Sequence, residues 1–150
     1  GVKQVNITLH VGAGTFLPIT ASDSDDHRMH SEWAELTNNA ISLIIKTKKN
    51  GGRVIALGTT VLRVLETAAL NGELRAFSGE TDLFITPGFT FNVVDLLLTN
   101  FHQPRSTLIM LVAAFAGTNR ILEAYEYAKN NGYRFLSYGD ACLIENINKV

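Results

Sequence analysis

Several features that would place a protein outside the ordinary globular class are scarce in this sequence. A single cysteine, Cys142, excludes an internal disulfide and a thiolate metal cluster, and its apolar surroundings predict a buried position. The formal net charge of −1 gives no overall indication of nucleic-acid binding. The longest apolar run, residues 108–116, is well short of the roughly 20 residues that a bilayer span needs. Residues 1–20 lack the layout of a signal peptide, so we expect a soluble, cytoplasmic protein without membrane contact.

What the sequence does contain is a regular alternation of strand and helix patterns. Hydrophobic residues make up 46% of it and charged residues 18%, which fits a globular domain with a sizeable core. The predicted strands are 4–11, 54–57, 83–85, 93–98 and 134–138 with a continuation at 141–144, and the predicted helices are 31–50, 60–70, 106–116 and 119–131. We predict a single layered α/β domain over residues 1–150, with a mixed, largely parallel sheet flanked by helices.

Residues 99–107 carry the sharpest functional signal. Asn100, His102, Arg105 and Ser106 lie between a buried strand and an apolar helix, a position where α/β folds expose sites. Histidine is suited to acid–base chemistry near neutral pH, and the neighbouring polar groups suit negative or carbonyl-bearing ligands. The structural alternative is a histidine that closes the turn by bonding to the backbone.

A glycine-bearing loop follows the first predicted strand. Gly12 and Gly14, with Thr15, allow close approach of a ligand to the backbone. The dinucleotide-binding fingerprint would need a third glycine where Leu17 stands, so the sequence does not favour that kind of site. A simple tight turn fits the same residues.

A second candidate loop joins the strand at 54–57 to the following helix. Gly58, Thr59 and Thr60 lie where helix amides can bind a carboxylate, a ribose hydroxyl or a phosphate. Capping by a threonine hydroxyl is the alternative. Arg63 and Glu66 follow at helical spacing, either as ligand contacts or as a surface ion pair.

Titratable side chains cluster in two further places. His27, His30 and Glu32 lie around the start of the predicted helix at 31–50. The spacing of the two histidines differs from that of helical zinc sites, so acid–base work or substrate binding is favoured over a metal. A structural network of caps remains the alternative. Asp140 ends a predicted strand, where it either anchors a substrate group or satisfies loop amides.

Six segments, in order along the chain, resemble the sequence motifs of the S-adenosylmethionine:tRNA ribosyltransferase-isomerase family. They are LHVGAGTF at 9–16, DHRMHSE at 26–32, VIALGTT at 54–60 with Arg63 and Glu66, DLFI and PGF within 82–89, TNFHQPRSTLIMLVAAFAG at 99–117, and YRFLSYGDA at 133–141. The chain departs from the expected motifs at Val61, Gln103 and Cys142.

The resemblance implies the C-terminal part of a longer two-domain enzyme, with an N-terminal part and a small β-barrel lying outside this sequence. It implies transfer and isomerisation of the ribosyl moiety of S-adenosylmethionine onto the aminomethyl-deazaguanine base of tRNA. The products would be epoxyqueuosine in tRNA, adenine and methionine. S-adenosylmethionine is then a consumed co-substrate, no metal or other cofactor is implied, tRNA is the partner, and a monomer is expected.

This chemistry needs acid–base groups and a polar cradle for the co-substrate. The available acid–base groups in the motifs are His102, His30, His27, Glu32 and Asp140, with His102 or His30 favoured as the base. The predicted substrate-binding residues are Gly12, Gly14, Thr15, Thr59, Thr60, Arg63, Asn100, Arg105 and Ser106. Two alternatives stay open: an S-adenosylmethionine-dependent methyltransferase and a non-catalytic tRNA-binding domain.

Overall fold

The computed structural model describes residues 1–12 and 29–149, and the following elements lie within them. The strands are β1 (Thr8–Leu9), β2 (Glu32–Leu36), β3 (Ile55–Leu57), β4 (Phe77–Thr81), β5 (Leu96–Asn100) and β6 (Ala141–Glu145). The helices are α1 (Asn38–Lys49), α2 (Thr59–Thr67), α3 (Thr107–Ala116) and α4 (Thr118–Asn130), with a short 3-10 helix at Ile147–Lys149.

The strands form two three-stranded sheets, ordered β1-β2-β4 and β3-β5-β6. The first is antiparallel, whereas in the second β3 is parallel and β6 antiparallel to the central β5. The α/β class and the mixed sheet are confirmed, but among the described strands parallel pairing is limited to β3 and β5. Two helices, bent by 115° at their junction, connect β5 to β6, and β6 begins beside the end of β5.

One hydrophobic core joins the two sheets and the helices. It contains Leu36 from β2, Ala56 from β3, Leu62 from α2, Leu97 from β5 and Phe115 from α3. The opposite face of the mixed sheet is apolar as well. Its cross-strand row of Leu57, Leu98 and Leu143 is 60%, 38% and 61% exposed.

The helix predicted from Ser31 begins later than expected, because residues 32–36 form β2. Along this strand Glu32, Ala34 and Leu36 are buried while the residues between them are partly exposed, which is the two-residue period of a sheet. The helix cap is the Thr37 hydroxyl, which accepts from the Ala40 amide at 3.4 Å.

Three further predicted strands differ from the structure. Residues 134–138 form a turn rather than a strand, and β6 occupies the segment that was expected only as its continuation. The strand expected at 83–85 lies earlier, as β4, where it pairs with β2. Of the strand expected at 4–11, only β1 pairs in a sheet among the described residues.

Both helices after β5 were predicted closely. The α3 helix starts after Ser106, whose hydroxyl oxygen accepts from the Ile109 amide at 3.2 Å. Among the described residues no single helix is long and apolar enough to cross a membrane. Together α3 and α4 reach that length and composition only across their 115° bend.

Glu66 is a fully buried anchor on α2. Its carboxylate accepts the backbone amides of Asn92, Val93 and Val94 at 2.7, 3.1 and 2.9 Å. The helix is thereby fixed to the segment that enters β5. Each of these bonds has a charged acceptor, which makes it stronger than a neutral hydrogen bond.

We predict that Glu66→Gln lowers the free energy of unfolding by about 2–4 kcal/mol, because the amide brings an NH2 group against backbone donors and removes the charge. Urea unfolding would measure the loss. The matched control is Glu123→Gln, an exposed position on α4, which should change stability little. An equal loss in both variants would contradict the anchoring role.

Candidate active site

Three of the predicted site segments meet at one edge of the mixed sheet. Because β3 and β5 are parallel, their carboxyl ends lie side by side, with Gly58 following one strand and Phe101 the other. Asn100 at the end of β5 is opposite Ala141 at the start of the antiparallel β6. Segments 58–60, 101–106 and 134–140 are therefore neighbours, at the edge where open α/β sheets bind ligands.

His102 is the central group of this edge, and the structure buries it to 4% exposure. Its Nε2 lies 3.1 Å from the Thr99 hydroxyl, and its backbone amide donates to the Tyr125 hydroxyl at 3.0 Å. Burial lowers the pKa of His102 to about 4. The imidazole is therefore neutral at physiological pH and carries a lone pair without first losing a proton.

Tyr125 is a second, partly buried polar group of the same cluster. Burial raises its pKa to about 12, partly offset by the bond to the His102 amide. The hydroxyl thus stays protonated. Its ring packs edge-on against Phe101, with the centroids 5.2 Å apart, which fixes the backbone on the amino side of the imidazole.

The other polar residues of the turn divide into exposed and structural groups. Arg105 is exposed and has a left-handed backbone, with φ of 56°. Ser106 caps α3 and donates to the Gln103 carbonyl at 2.8 Å. The side-chain amide of Asn100 donates to the Phe101 carbonyl at 3.2 Å. Arg105 is the group of this turn that is free to meet an anion from solvent.

Asp140 closes the loop that precedes β6. Its Oδ2 accepts the Arg134 amide at 2.7 Å, and its own amide donates to the Arg134 carbonyl at 2.8 Å. The loop is bonded to the central turn through the Leu136 amide, which donates to the Phe101 carbonyl at 3.0 Å. The reading of Asp140 as a group that satisfies loop amides therefore has direct support.

The start of α2 lies at the same edge. Gly58 is its N-cap, with φ of 93°, a left-handed conformation that favours glycine, and no side chain caps the helix. Capping by Thr59 or Thr60 is therefore wrong. The Gly58 backbone amide donates to the Leu98 carbonyl at 2.8 Å, which fixes the start of the helix beside the end of β5.

One turn further along α2, Arg63 forms a buried ion pair with Glu32. Nη1 lies 2.7 Å from Glu32 Oε2, both side chains being at most 3% exposed, and Nε donates to the Leu83 carbonyl at 3.2 Å. The other carboxylate oxygen accepts the Gly12 amide at 2.7 Å. The prediction of a surface ion pair between Arg63 and Glu66 is wrong, because each side chain is buried and bonded to a different partner.

Within the described part of the chain, two buried side-chain atoms have no hydrogen-bond partner. They are Arg63 Nη2 and Thr107 Oγ1, the latter on the first residue of α3. A guanidinium nitrogen without an acceptor fits a ligand carboxylate or hydroxyl. These two atoms therefore suit a ligand that carries carboxylate or hydroxyl groups.

The remaining predicted residues are less informative. His30 is exposed, while Gly14, Thr15 and His27 lie outside the described residues. Over residues 1–12 and 29–149, no group of three or more His, Cys, Asp or Glu side chains is arranged to hold a metal ion.

A cleft of about 670 Å³ lies between α4 and β6, beside the edge. Phe101, Tyr125 and Tyr133 line it with Cys142, whose thiol pKa is raised by burial. The bonds of Thr99 and Tyr125 to His102 were not predicted from the sequence. The spacing of Thr99 and His102 across the strand end was the available signal, whereas the contact with Tyr125 spans 23 residues.

A sequence profile of the family described as queuosine biosynthesis protein matches residues 1–144. The chain belongs to this family. Members of the queuosine biosynthesis family similar to it include the S-adenosylmethionine:tRNA ribosyltransferase-isomerases of Coxiella burnetii (strain Dugway 5J108-111), 62% identical over 144 residues, and Zymomonas mobilis subsp. mobilis, 57% identical over 145 residues. Each alignment covers 96% of this chain and 42% of the relative, so the chain spans less than half of their length.

A solved structure of the queuosine biosynthesis family supports the fold. The S-adenosylmethionine tRNA ribosyltransferase of Thermotoga maritima is 50% identical and superimposes with a TM-score of 0.72, covering 75% of this chain and 40% of the other. The family resemblance seen in the sequence motifs is thereby confirmed.

We predict that His102 makes stability depend on pH between about 7 and 4. The unfolded chain binds a proton near the ordinary histidine pKa of about 6.5, whereas folded His102 does so only near 4. Stability is therefore highest above the ordinary value and falls as the pH drops towards 4, by roughly 3 kcal/mol in all. Comparing urea unfolding of the parent with His102→Gln would isolate this dependence. An unchanged pH profile in the variant would contradict it, and His30→Gln, at an exposed histidine, is the control.

We also predict strong coupling between Arg63 and Glu32. Arg63→Met should lower the free energy of unfolding by about 3–5 kcal/mol, because it leaves a buried carboxylate without its cation. Adding Glu32→Gln should recover part of that loss. A double-mutant cycle in urea measures the coupling, and strictly additive losses would show that the two side chains act independently.

Proposed function

We propose that this chain is the C-terminal part of an enzyme that transfers and isomerises the ribosyl moiety of S-adenosylmethionine onto the aminomethyl-deazaguanine base of tRNA. The reaction gives epoxyqueuosine in tRNA and releases adenine and methionine. The observation that carries the proposal is the 62% identity over 144 residues to a protein named for this activity. A cluster of polar groups at the sheet edge supports it.

The chemistry sets three demands on the residues of this edge. The ribose carbon next to a sulfonium is acidic, so a nearby base must take its proton. Adenine must leave, which a proton donor assists, and the attacking amine must be neutral. His102 is the favoured base because it is already unprotonated, although a pKa of about 4 makes it a weak one that relies on the sulfonium to acidify the carbon. His30, at the surface, is the second candidate.

The other acid–base candidates are more constrained. Glu32 pairs with Arg63, and Asp140 is bonded within its loop. Both carboxylates are held in place by these bonds, so we assign both to positioning. His27 keeps its candidate role from the sequence motif alone.

The proposed co-substrate contacts follow from two groups of residues. The amides at Thr59 and Thr60 and the unpartnered Nη2 of Arg63 suit the carboxylate and hydroxyl groups of S-adenosylmethionine. Gly12 leads into the glycine-bearing loop that contains Gly14 and Thr15. Further proposed substrate contacts, at the turn after β5, are Asn100, Arg105 and Ser106.

The proposal extends to the rest of the enzyme. The relatives are more than twice as long as the matched segment, and we place this chain as one α/β domain that works with an N-terminal part and a small β-barrel. We further propose a monomeric, cytoplasmic enzyme with S-adenosylmethionine as its consumed co-substrate and no other cofactor. Neither the relatives named above nor the geometry of the site favours the two alternative functions.

A chimera tests the activity. In this chimera, residues 1–144 replace the matching segment of the Coxiella burnetii relative. The chimeric protein is incubated with S-adenosylmethionine and with tRNA carrying the aminomethyl-deazaguanine base. We expect release of adenine and methionine. Release of S-adenosylhomocysteine would instead identify a methyltransferase, and tRNA binding without turnover would identify a non-catalytic domain.

In the same chimera, His102→Ala should lower kcat by at least ~100-fold, as loss of an acid–base group does. Gln103→Ala is the matched control, because this neighbour in the turn is exposed and only its carbonyl is bonded. Thermal unfolding of both variants separates loss of chemistry from loss of fold. Near-normal turnover of a folded His102→Ala protein would reject the catalytic role.

A further inference from the structure

The loop between α4 and β6 displays an aromatic ring in an unusual setting. Tyr138 is 96% exposed, although tyrosine is ordinarily packed over much of its ring. An aromatic ring that is almost fully exposed to solvent can stack against a planar partner. From its setting we propose that Tyr138 stacks against an unpaired base of the RNA substrate, an inference that rests on the proposed function.

The loop that carries Tyr138 is held by its own backbone. Asp140 bonds to the Arg134 backbone in both directions, and the Gly139 amide donates to the Leu136 carbonyl at 3.0 Å. At Gly139 a Cβ atom would lie 2.3 Å from the Arg134 carbonyl oxygen, so only glycine permits this close packing. Because the loop is already ordered, a partner that binds it loses little conformational entropy.

The surroundings of Tyr138 also suit an RNA strand. The Arg134 side chain is 76% exposed, and its guanidinium lies 3.9 Å from the Asp140 carboxylate, longer than a hydrogen bond. It is therefore available to a phosphate. Tyr133, next to Arg134 in the chain, is 45% exposed, and its ring centroid lies 6.3 Å from that of Tyr127, which is 63% exposed. Exposed rings of this kind suit stacking with the bases of a single strand.

The position of the loop links this surface to the candidate active site. The Leu136 amide is bonded to the carbonyl of Phe101, the residue before His102. An RNA base that stacks on Tyr138 would therefore be held by a loop that is hydrogen-bonded to the turn containing His102. Unpaired bases are the part of RNA whose faces are open to such stacking.

RNA is favoured over the other planar candidate, the adenine of S-adenosylmethionine. Binding sites for small molecules are concave and largely formed before the ligand binds. Tyr138 instead projects into solvent. A long polymer can instead reach an exposed ring and the neighbouring cation together. The two sources of a planar base differ in which Michaelis constant they affect.

The test measures steady-state kinetics of the chimera with Tyr138→Ala, Tyr138→Leu and Tyr138→Phe. Loss of a stacked base should raise KM for tRNA roughly ten-fold in the alanine and leucine variants, with kcat and KM for S-adenosylmethionine within two-fold of the parent. The phenylalanine variant should behave as the parent, because it keeps the ring. Leu122→Ala, which removes an exposed apolar side chain from α4, is the control.

Three results would overturn the assignment to an RNA base. They are an unchanged KM for tRNA, a leucine variant equal to phenylalanine, and a rise confined to KM for S-adenosylmethionine, which would point to its adenine. If the parent chimera lacks turnover, the proposed function fails separately. Fluorescence anisotropy of the 150-residue protein with an anticodon stem-loop RNA then decides, with a ten-fold weaker affinity of Tyr138→Ala supporting the stacking role and an equal affinity rejecting it.

Discussion

Helix α2 carries two charged side chains, Arg63 and Glu66, that lie inside the protein and bond to different parts of it. Arg63 is paired with Glu32 on the antiparallel sheet, and Glu66 holds the backbone that leads into the mixed sheet. Because a buried charge is tolerated only with its partners in place, the helix has little freedom to shift relative to either sheet. The placement of its first turn, and so of one wall of the candidate site, depends on these bonds.

The candidate site combines a fixed backbone with a neutral imidazole. Threonine and tyrosine hydroxyls hold His102 from its ring and from its amide, and the core excludes water from it. Such a group need not lose a proton before it can accept one, since the burial that weakens its basicity also keeps it unprotonated. In contrast to the buried, uncharged His102, the nearby Arg105 is a charged side chain exposed to solvent.

Local signals in the sequence were sufficient for some elements and not for others. Helix α3 was predicted with its cap, since a long apolar run and the hydroxyl of Ser106 are both local. Strand β2 was taken for a helix because the buried Glu32 makes sense only with Arg63, 31 residues away. The turn at 134–138 depends on the close packing of Gly139, and the burial of His102 depends on Tyr125 from another helix. Contacts between distant residues therefore decided the cases of β2 and His102, whereas the turn was decided by close packing within its own loop.

The uncovered leucine row of the mixed sheet also affects how the domain behaves in bulk solution. Leu57, Leu98 and Leu143 form an exposed apolar strip across three strands, and the strip contains no charged side chain. Water next to such a strip is unfavourable, and sulfate or phosphate salts raise that penalty. Colloidal stability of the purified domain should therefore be set by this strip, and crowding or salting-out should drive molecules together there before the fold itself is lost.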